Sequence, residues 1–479
     1  MKKQTKIVAT VSDLRCDSKF IKQLVDAGVN VIRLNTAHFL PEYAPKIVEI
    51  IRSVASDVAI LVDTKGPEIR TVCNGEELQV ETNDQLQIIG NPAGITKGKT
   101  LYVTYPKLCN DIETNQHILI DDGKIDLIVE SNMGDSLICR VLNGGKIELR
   151  KSVNIPNIKV DLPAISERDI YFIQLAIELQ VDYIAHSFVQ RASDIREIKA
   201  ILKEKQSQIA VIAKIENQAG IENLKEILEE ADGIMVARGD LGIEIPIEKV
   251  PAIQRRIVKE CINCKKMVII ATQMLHTMID NPRPTRAEIS DIATAVLEKA
   301  DALMLSGETA TGDYPVEAVQ TMAKVAVEVE KEMETLHHYR KLLPEKGSVL
   351  SLLAYSTVTV CLNLPIKAVI VDTLTGRTAH YLAAYRGTIP VYAICYSEAV
   401  QRRLALTYGI TAFTLPLGIS RDGFIKVTIE NLLAEKLLKP QDQIVIVGGS
   451  FGTSKGATFI EISEARDLLQ SESDLETDC

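Results

Sequence analysis

The sequence predicts an α/β protein: a closed (β/α)8 TIM barrel with an inserted all-β domain and a C-terminal open α/β domain. Three observations carry that expectation. Short, nearly continuous apolar runs alternate eight times with amphipathic helical patterns, as in parallel strands covered by crossover helices. The alternation breaks once, after the third run, into short strands and turn signals with no helical period. It resumes after about Leu336 with a different rhythm. The expected divisions are 1–70 with 159–335 for the barrel, 71–158 for the insert and 336–479 for the last domain. At 479 residues the chain has room for about three domains.

The barrel strands are expected in TKIVATV (from Thr5), VNVIRLN (from Val29), VAILVDT (from Val58), VDYIAHSFV (from Val181), IAVIAKIEN (from Ile209), GIMVARG (from Gly233), MVIIAT (from Met267) and ALMLSG (from Ala302). Helical patterns such as DSKFIKQLVDAG, QAGIENLKEILEEA and PTRAEISDIATAVLEKA follow them. Between Thr71 and about Ile158 the strands LQVETND, TLYVTY, HILIDD, DLIVES, SLICRVL and KIELRKSV are separated by turn residues at Asn91–Pro92, Gly134–Asp135 and Asn143–Gly144–Gly145. The polar loop NIPNIKVD returns the chain to the barrel. In the last domain VLSLLAYSTVTVCL reads as a helix, and AVIVDT, PVYAIC, AFTLPL, IVIVGGS and TFIEI read as strands. The acidic tail SESDLETDC is expected to fray.

Composition narrows the function. Hydrophobic residues make up 46% and charged residues 25%, an ordinary globular balance. The net charge of −10 gives no basic surface for displacing counterions from a nucleic acid, and 4% aromatics with no Trp leave few stacking platforms. No nucleic-acid partner is expected. The nine Cys do not form a disulfide framework. Cys261 and Cys264 make a C-x-x-C inside an amphipathic helical pattern and read as packed thiols. No apolar run approaches a membrane span, and the N-terminus has no apolar signal core. A soluble, cytoplasmic protein with no membrane partner is expected.

Six of the eight strand ends carry polar groups, and the C-terminal strand ends are where a β/α barrel builds its active site. They are Arg33-Leu34-Asn35, Asp63-Thr64 followed by Lys65, Gly66, Pro67, Glu68 and Arg70, Lys214-Ile215-Glu216, Arg238-Gly239-Asp240, Thr272-Gln273 and Ser306-Gly307-Glu308-Thr309. Arg33/Asn35, Lys214/Glu216 and Arg238/Asp240 are i, i+2 pairs, so on a strand each pair projects from one face. Isolated buried ions are too costly for so many charges to stay unpaired. Glu216 and Asp240 supply hard oxygens suited to Mg2+. Arg33, Arg70 and Lys214 supply cations for a phosphate or carboxylate, and Thr272 offers a hydroxyl. The pattern fits a small polyanionic substrate and a divalent metal. The competing reading, a ring of structural ion pairs, serves any one pair as well but not six loaded ends on one rim.

DTKGPEIR (Asp63–Arg70), KIEN (Lys214–Asn217), ARGDLGIEIP (Ala237–Pro246), ATQML (Ala271–Leu275), NPRPTRAE (Asn281–Glu288) and MLSGETATGDYP (Met304–Pro315) resemble, in order, the signature segments of the pyruvate kinase family. The resemblance spans nearly the whole chain. It implies phosphoryl transfer from phosphoenolpyruvate to ADP, giving pyruvate and ATP in the last step of glycolysis, through an enolate that is stabilised by Mg2+ and then protonated. By the same resemblance Glu216 and Asp240 hold Mg2+, Lys214 neutralises the phosphoryl group and the enolate, and Arg33 grips the phosphate. Gly239, Asp240 and Thr272 receive the substrate carboxylate. Asn35, Asp63 and Thr64 bind K+, and Asn35, His38, Arg70 and Lys151 lie on the nucleotide side. Ser306 and Glu308 belong to the chain that protonates the enolate, and Asp122 reaches over from the insert. Closure of the insert excludes water. A homotetramer is the implied assembly.

Some positions depart from the family pattern. Asn35-Thr36-Ala37-His38 has Ala37 where the family has a Ser hydroxyl on K+, whereas Glu68 matches K+-requiring members. K+ dependence with weakened affinity is the expectation. Val11-Ser12-Asp13-Leu14-Arg15 replaces a Gly-Pro-Ala-Ser run near the adenine, and His186 replaces a small residue and reads as packing. In the last domain Thr373-Leu374-Thr375-Gly376-Arg377-Thr378 and the turn Gly448–Gly452 have the composition of a phosphate cradle. The resemblance implies a phosphorylated effector there, at Thr373, Thr375, Gly376, Arg377 and Thr378, and an ordinary capped βα turn is the alternative. Two other readings of the whole chain are an Mg2+-dependent aldolase or lyase, against which the insert and DTKGPEIR argue, and a non-catalytic paralogue, against which Lys214, Glu216, Asp240 and Thr272 argue.

Overall fold

The eight apolar runs form eight strands that close into one parallel barrel in the computed structural model, which describes residues 3–156, 158, 163–335, 342–449 and 456–469. In chain order they are Lys6–Val11, Val31–Asn35, Ala59–Asp63, Tyr183–His186, Ala210–Ile215, Gly233–Ala237, Met267–Ala271 and Ala302–Leu305. Side-chain alternation sorts each run onto two faces. Val8, Val31, Leu61, Tyr183, Ile212 and Ile269 fill the barrel interior. Their neighbours Ile7, Ile32, Ile60, Ile184, Val211 and Ile270 pack outward against the helices. Counting on by two from the interior set reaches Thr10, Arg33, Asp63 and Lys214, so the same parity that fills the core aims these polar groups inward at the mouth. The floor is closed from elsewhere: Leu406, after the helix Glu398–Leu404, is fully buried in the interior cluster.

Local chemistry fixes the crossover helices. Helix Glu167–Glu178 starts at Ser166 with a reciprocal capping box to Asp169. The Asp169 carboxylate also accepts the N–H groups of Lys65 (3.0 Å) and Gly66 (3.3 Å), which ties the loop after the third strand to this helix. Gly66 has φ 71°, and a Cβ there would meet Ser187 Cβ at 2.7 Å, so only glycine fits the loop. Helix Arg286–Leu297 has a matching box from Thr285 and Glu288.

The insert is a seven-stranded sheet in the order Ile69–Arg70, Ser152–Asn154, His117–Ile120, Ile125–Asn132, Leu137–Val141, Gln85–Gly90, Thr100–Val103, with a two-stranded sheet of Gly145–Ile147 and Leu78–Val80. Three details differ from the sequence expectation. Pairing begins at Ile69, opposite Val153, rather than at Thr71. Gln85–Gly90 is a further strand, with Leu86 and Ile88 alternating into the core of the insert. KIELRKSV is not one strand: Arg150 adopts φ 60° and breaks it into pieces that belong to different sheets.

In the last domain the strands order as Ile410–Thr414, Val391–Cys395, Ala368–Asp372, Gln443–Gly449 and Ala457–Glu464, the final pair antiparallel. VLSLLAYSTVTVCL lies within helix Val349–Asn363. The strand expected at Ala412–Leu417 lies earlier, because Pro416 has no N–H for a ladder. Ser450–Gly452 of the glycine-rich turn, part of NIPNIKVD and the tail SESDLETDC lie outside the described residues. None of the described helices is long and apolar enough to cross a membrane.

Barrel and last domain are joined by buried ion pairs. Arg386 donates to both Asp301 oxygens at 2.9 and 2.5 Å, and each partner is 2% exposed. The same carboxylate accepts the N–H groups of Tyr408 and Val268. Asp182 is shared by Arg402 (2.8 Å) and Arg52 (2.7 Å). Removing one member strands its buried partner. Arg386→Met is expected to cost about 3–5 kcal/mol, measured as a lower urea midpoint, and Asp301→Asn in the same chain should restore part of the loss.

Candidate active site

At the barrel mouth the Lys214 ammonium donates to Ser187 Oγ at 2.6 Å and forms ion pairs with Asp63 Oδ1 at 3.1 Å and Glu216 Oε1 at 3.0 Å. Asp63 also accepts Arg33 Nε through Oδ2 at 2.7 Å, and Arg33 Nη1 donates to Thr10 Oγ1 at 2.9 Å. Arg33 Nη2 has no partner among the described residues. Glu216 Oε2 accepts the N–H of Phe188 at 2.6 Å, an amide aimed inward because Phe188 holds φ 56°.

The charges settle according to burial and partners. Burial alone would raise the Asp63 carboxyl, but Lys214 and Arg33 hold it below its usual value. Burial works against the Lys214 ammonium, and the Asp63 and Glu216 carboxylates outweigh it, so this lysine stays charged. Burial pushes Glu216 up to about 7, Lys214 opposes this, and the Asp240 charge adds to it. Asp240 is also raised by burial, against Lys214, with the charge of Asp122 adding to the rise. Two carboxylates thus repel each other across a desolvated site where one lysine is already shared with Asp63. Asp240 has no side-chain partner among the described residues. That donor pair fits a divalent cation completed by substrate oxygens. No group of three or more His, Cys, Asp or Glu able to hold a metal occurs among the described residues.

One expected pair is separated. The sixth strand ends at Ala237, and Arg238 and Asp240 stand in the first turn of helix Arg238–Glu244, so alternation no longer puts them on one face. Arg238 turns aside to Asp291 (2.7 Å) and the carbonyl of Thr272 (2.7 Å), leaving only Asp240 at the mouth. Thr272 and Gln273 adopt φ 70° and 55° in succession, an unfavourable backbone for a β-branched residue. Thr272 Oγ1 accepts the Gly239 N–H at 2.7 Å and donates to the Ala271 carbonyl at 2.6 Å. Beside them, Glu308 accepts the N–H groups of Ser306 (2.7 Å) and Leu275 (3.1 Å), clamping the loops after the last two strands. The Ser306 hydroxyl has no partner among the described residues.

The K+ candidates adjoin the lysine cluster. Asn35 pairs in register with Asp63, and Asn35 Oδ1 accepts the Ala37 N–H at 3.2 Å. Thr64 O accepts Ser187 Oγ at 2.7 Å, and Thr64 Oγ1 meets His186 Nδ1 at 3.1 Å. His186 follows the inward Ala185, so it faces outward, and burial lowers its pKa to about 4, leaving a neutral packed ring. Of the residues expected at the nucleotide, Arg70 grips Glu68 with two N–H groups (2.6 and 2.8 Å), and Lys151 is held by Asp121 (3.1 Å) and Glu148 (2.9 Å). His38 is exposed, and no described hydrogen bond joins it to Arg70 or Lys151. Asp122 accepts Ser152 Oγ at 2.9 Å. Asn154 donates to Glu244 at 3.2 Å, linking the insert to the barrel over a cleft of about 120 Å3 that also touches Glu68, Phe188, Asn217 and Asp240.

In the last domain Thr373 Oγ1 accepts the N–H of Gly376, which has φ 88°. Thr373 and Thr378 are buried, whereas Thr375 and Arg377 are exposed. Ser187 and Phe188 are functional neighbours that sequence reasoning missed. Counting by two from Ala185 on the fourth strand would have reached Ser187, but nothing in the residue types marks the Phe188 amide.

The family model described as the pyruvate kinase barrel domain matches residues 2–319, and the one for the pyruvate kinase alpha/beta domain matches residues 351–463. The pyruvate kinase of Borreliella burgdorferi is 42% identical over 472 residues, covering 98% of each chain. That of Geobacillus stearothermophilus is 40% identical over 489 residues, covering 98% of this chain and 81% of the relative. A crystal structure of a pyruvate kinase from Cryptosporidium parvum superposes with a TM-score of 0.91 at 32% identity, over 97% of this chain and 96% of that one. With the barrel, the insert and the loaded strand ends in the same order, the chain belongs to the pyruvate kinase family.

Proposed function

We propose that the barrel mouth transfers the phosphoryl group of phosphoenolpyruvate to ADP through the residues assembled around Lys214. The observation that carries this reading is the Lys214 ammonium, shared between Asp63 and Glu216 with the unpartnered Asp240 beside them. Phosphoryl transfer through a loose transition state needs positioning and charge neutralisation rather than covalent chemistry. Lys214 faces the moving phosphoryl group and the enolate oxygen exposed when it leaves. Arg33 offers its unclaimed Nη2 to the phosphate. The Gly239 amide and the Thr272 hydroxyl, now bonded to each other, turn to the substrate carboxylate with the Asp240 amide. Glu308, both of whose oxygens accept backbone N–H groups, positions Ser306, whose hydroxyl lies on the route of the proton that quenches the enolate.

Glu216 and Asp240 would hold Mg2+, and Asn35, Asp63 and Thr64 would hold K+. When bound, these ions supply positive charge against the substrate oxygens. Residues 71–158 act as a lid over the barrel of 1–70 and 159–335, with Asp122 and Asn154 on its barrel-facing side and Arg70 and Lys151 at the nucleotide. Water excluded by the lid cannot compete with ADP. A homotetramer, and a phosphorylated effector at Thr373–Thr378 in the domain 336–479, complete the proposal. The exposed Thr375 and Arg377 support the latter.

The direct test is ADP-dependent formation of pyruvate from phosphoenolpyruvate with Mg2+ and K+. Lys214→Met should lower kcat by at least ~10²-fold, and near-normal turnover would remove Lys214 from its role. Because Glu216 titrates at about 7 and binds metal only when ionised, Mg2+ affinity measured by calorimetry should fall about tenfold per pH unit below that value. In Glu216→Gln that slope should flatten. Ala37→Ser should restore a hydroxyl beside Asn35 and lower the K+ concentration for half-maximal rate. An unchanged rate with tetramethylammonium in place of K+ would refute the K+ site.

A further inference from the structure

The fourth barrel strand ends at His186, and each residue from there to Phe188 bonds to a polar group of the mouth. His186 Nδ1 meets Thr64 Oγ1 at 3.1 Å. Ser187 bonds to Thr64 twice: its N–H donates to Thr64 Oγ1 at 3.2 Å, and its hydroxyl donates to the Thr64 carbonyl at 2.7 Å. Phe188 donates its N–H to Glu216 Oε2 at 2.6 Å. The Ser187 proton is thereby committed, with Asp63 Oδ1 a longer alternative at 3.4 Å, and the oxygen keeps its lone pairs as acceptors. One of them takes the Lys214 ammonium at 2.6 Å, closer than either of that lysine's ion pairs.

The two kinds of contact act differently. Attraction to Asp63 and Glu216 keeps the ammonium charged and at the mouth, but Coulomb energy depends on distance rather than angle. A lysine on its flexible four-carbon stem can lean toward either carboxylate. A hydrogen bond weakens steeply as its angle departs from linear, so the hydroxyl fixes a direction. Ser187 is itself held firmly. It is 2% exposed and tied to Thr64 by backbone and side chain, and Gly66 packs so closely that a Cβ there would meet Ser187 Cβ at 2.7 Å. Thr64 is anchored in turn by its N–H to the Ala185 carbonyl at 2.9 Å and by the buried His186. A rigid acceptor therefore meets a flexible cation.

We propose that Ser187 is a positioning residue for Lys214, its hydroxyl fixing the direction in which the ammonium faces the reacting phosphoryl group. The assignment rests on the phosphoryl-transfer reading above and deepens it. Without the hydroxyl, Lys214 stays charged between Asp63 and Glu216 but is no longer aimed, so the chemical step suffers more than substrate binding.

Steady-state kinetics of Ser187→Ala, Lys214→Met and the double variant test this, each beside a urea midpoint. Ser187→Ala keeps the shape of the side chain and removes only the acceptor. It should lower kcat by at least ~10-fold with little change in KM for phosphoenolpyruvate. In the Lys214→Met background the same substitution should lower kcat no further, because a residue that acts through the ammonium has nothing left to aim. A merely structural Ser187 would lower the urea midpoint and reduce kcat by the same factor in both backgrounds. Ser187→Cys, with a weaker acceptor of similar shape, should give a kcat between those of serine and alanine. Unchanged kcat in Ser187→Ala, or losses that multiply in the double variant, would overturn the assignment. Because turnover by the unsubstituted chain tests the phosphoryl-transfer reading, an active chain with multiplying losses overturns the role of Ser187 alone.

Discussion

The Lys214 ammonium, suspended between the carboxylates of Asp63 and Glu216, is the interaction on which the rest of the mouth depends. A lysine this buried persists only if every N–H has an acceptor and the surrounding charge is negative. Satisfying it recruits elements from distant parts of the chain: Asp63 from the third strand, Ser187 from beyond the fourth, Glu216 from beyond the fifth. Asp63 then commits Arg33, and Glu216 commits the left-handed turn at Phe188. The cost of desolvating one cation is thereby converted into rigid placement of five groups around it. Asp240 and Arg33 Nη2 remain outside this closed set.

What could be read beforehand followed from periodicity. The eight strands and the inward aim of Arg33, Asp63 and Lys214 rest on alternation, which continues for as long as a strand does. Arg238 and Asp240 show where that stops: helix begins at Arg238, rotation per residue drops from a half turn to about 100°, and the pair splits. The αL turns at Thr272 and Phe188 were equally opaque, because threonine and phenylalanine do not announce positive φ and only tertiary contacts hold them there. In the insert, the strand Gln85–Gly90 was legible too, since Gln85 and Gln87 alternate with the buried Leu86 and Ile88.

The two ends of the barrel hold different sets of ion pairs. The mouth shares Asp63 between Lys214 and Arg33, and the base pairs Arg386 with Asp301 and Arg402 with Asp182. Between them lies an interior filled by Val8, Leu61, Ile212 and Ile269. Pairs such as Arg386–Asp301 and Arg402–Asp182 stand at the base, where a β/α barrel keeps residues for stability rather than catalysis.

Leu406 completes the barrel floor from a segment made long after the eighth strand. During synthesis from the N-terminus, all eight strands leave the ribosome while the bottom of their interior still faces water. The nascent barrel therefore carries an apolar opening that only the last third of the chain can seal, by laying Leu406 under Tyr183 and Met267 and bonding Lys6 to the carbonyl of Ile410. Maturation of the catalytic half is thus timed by translation of the other half.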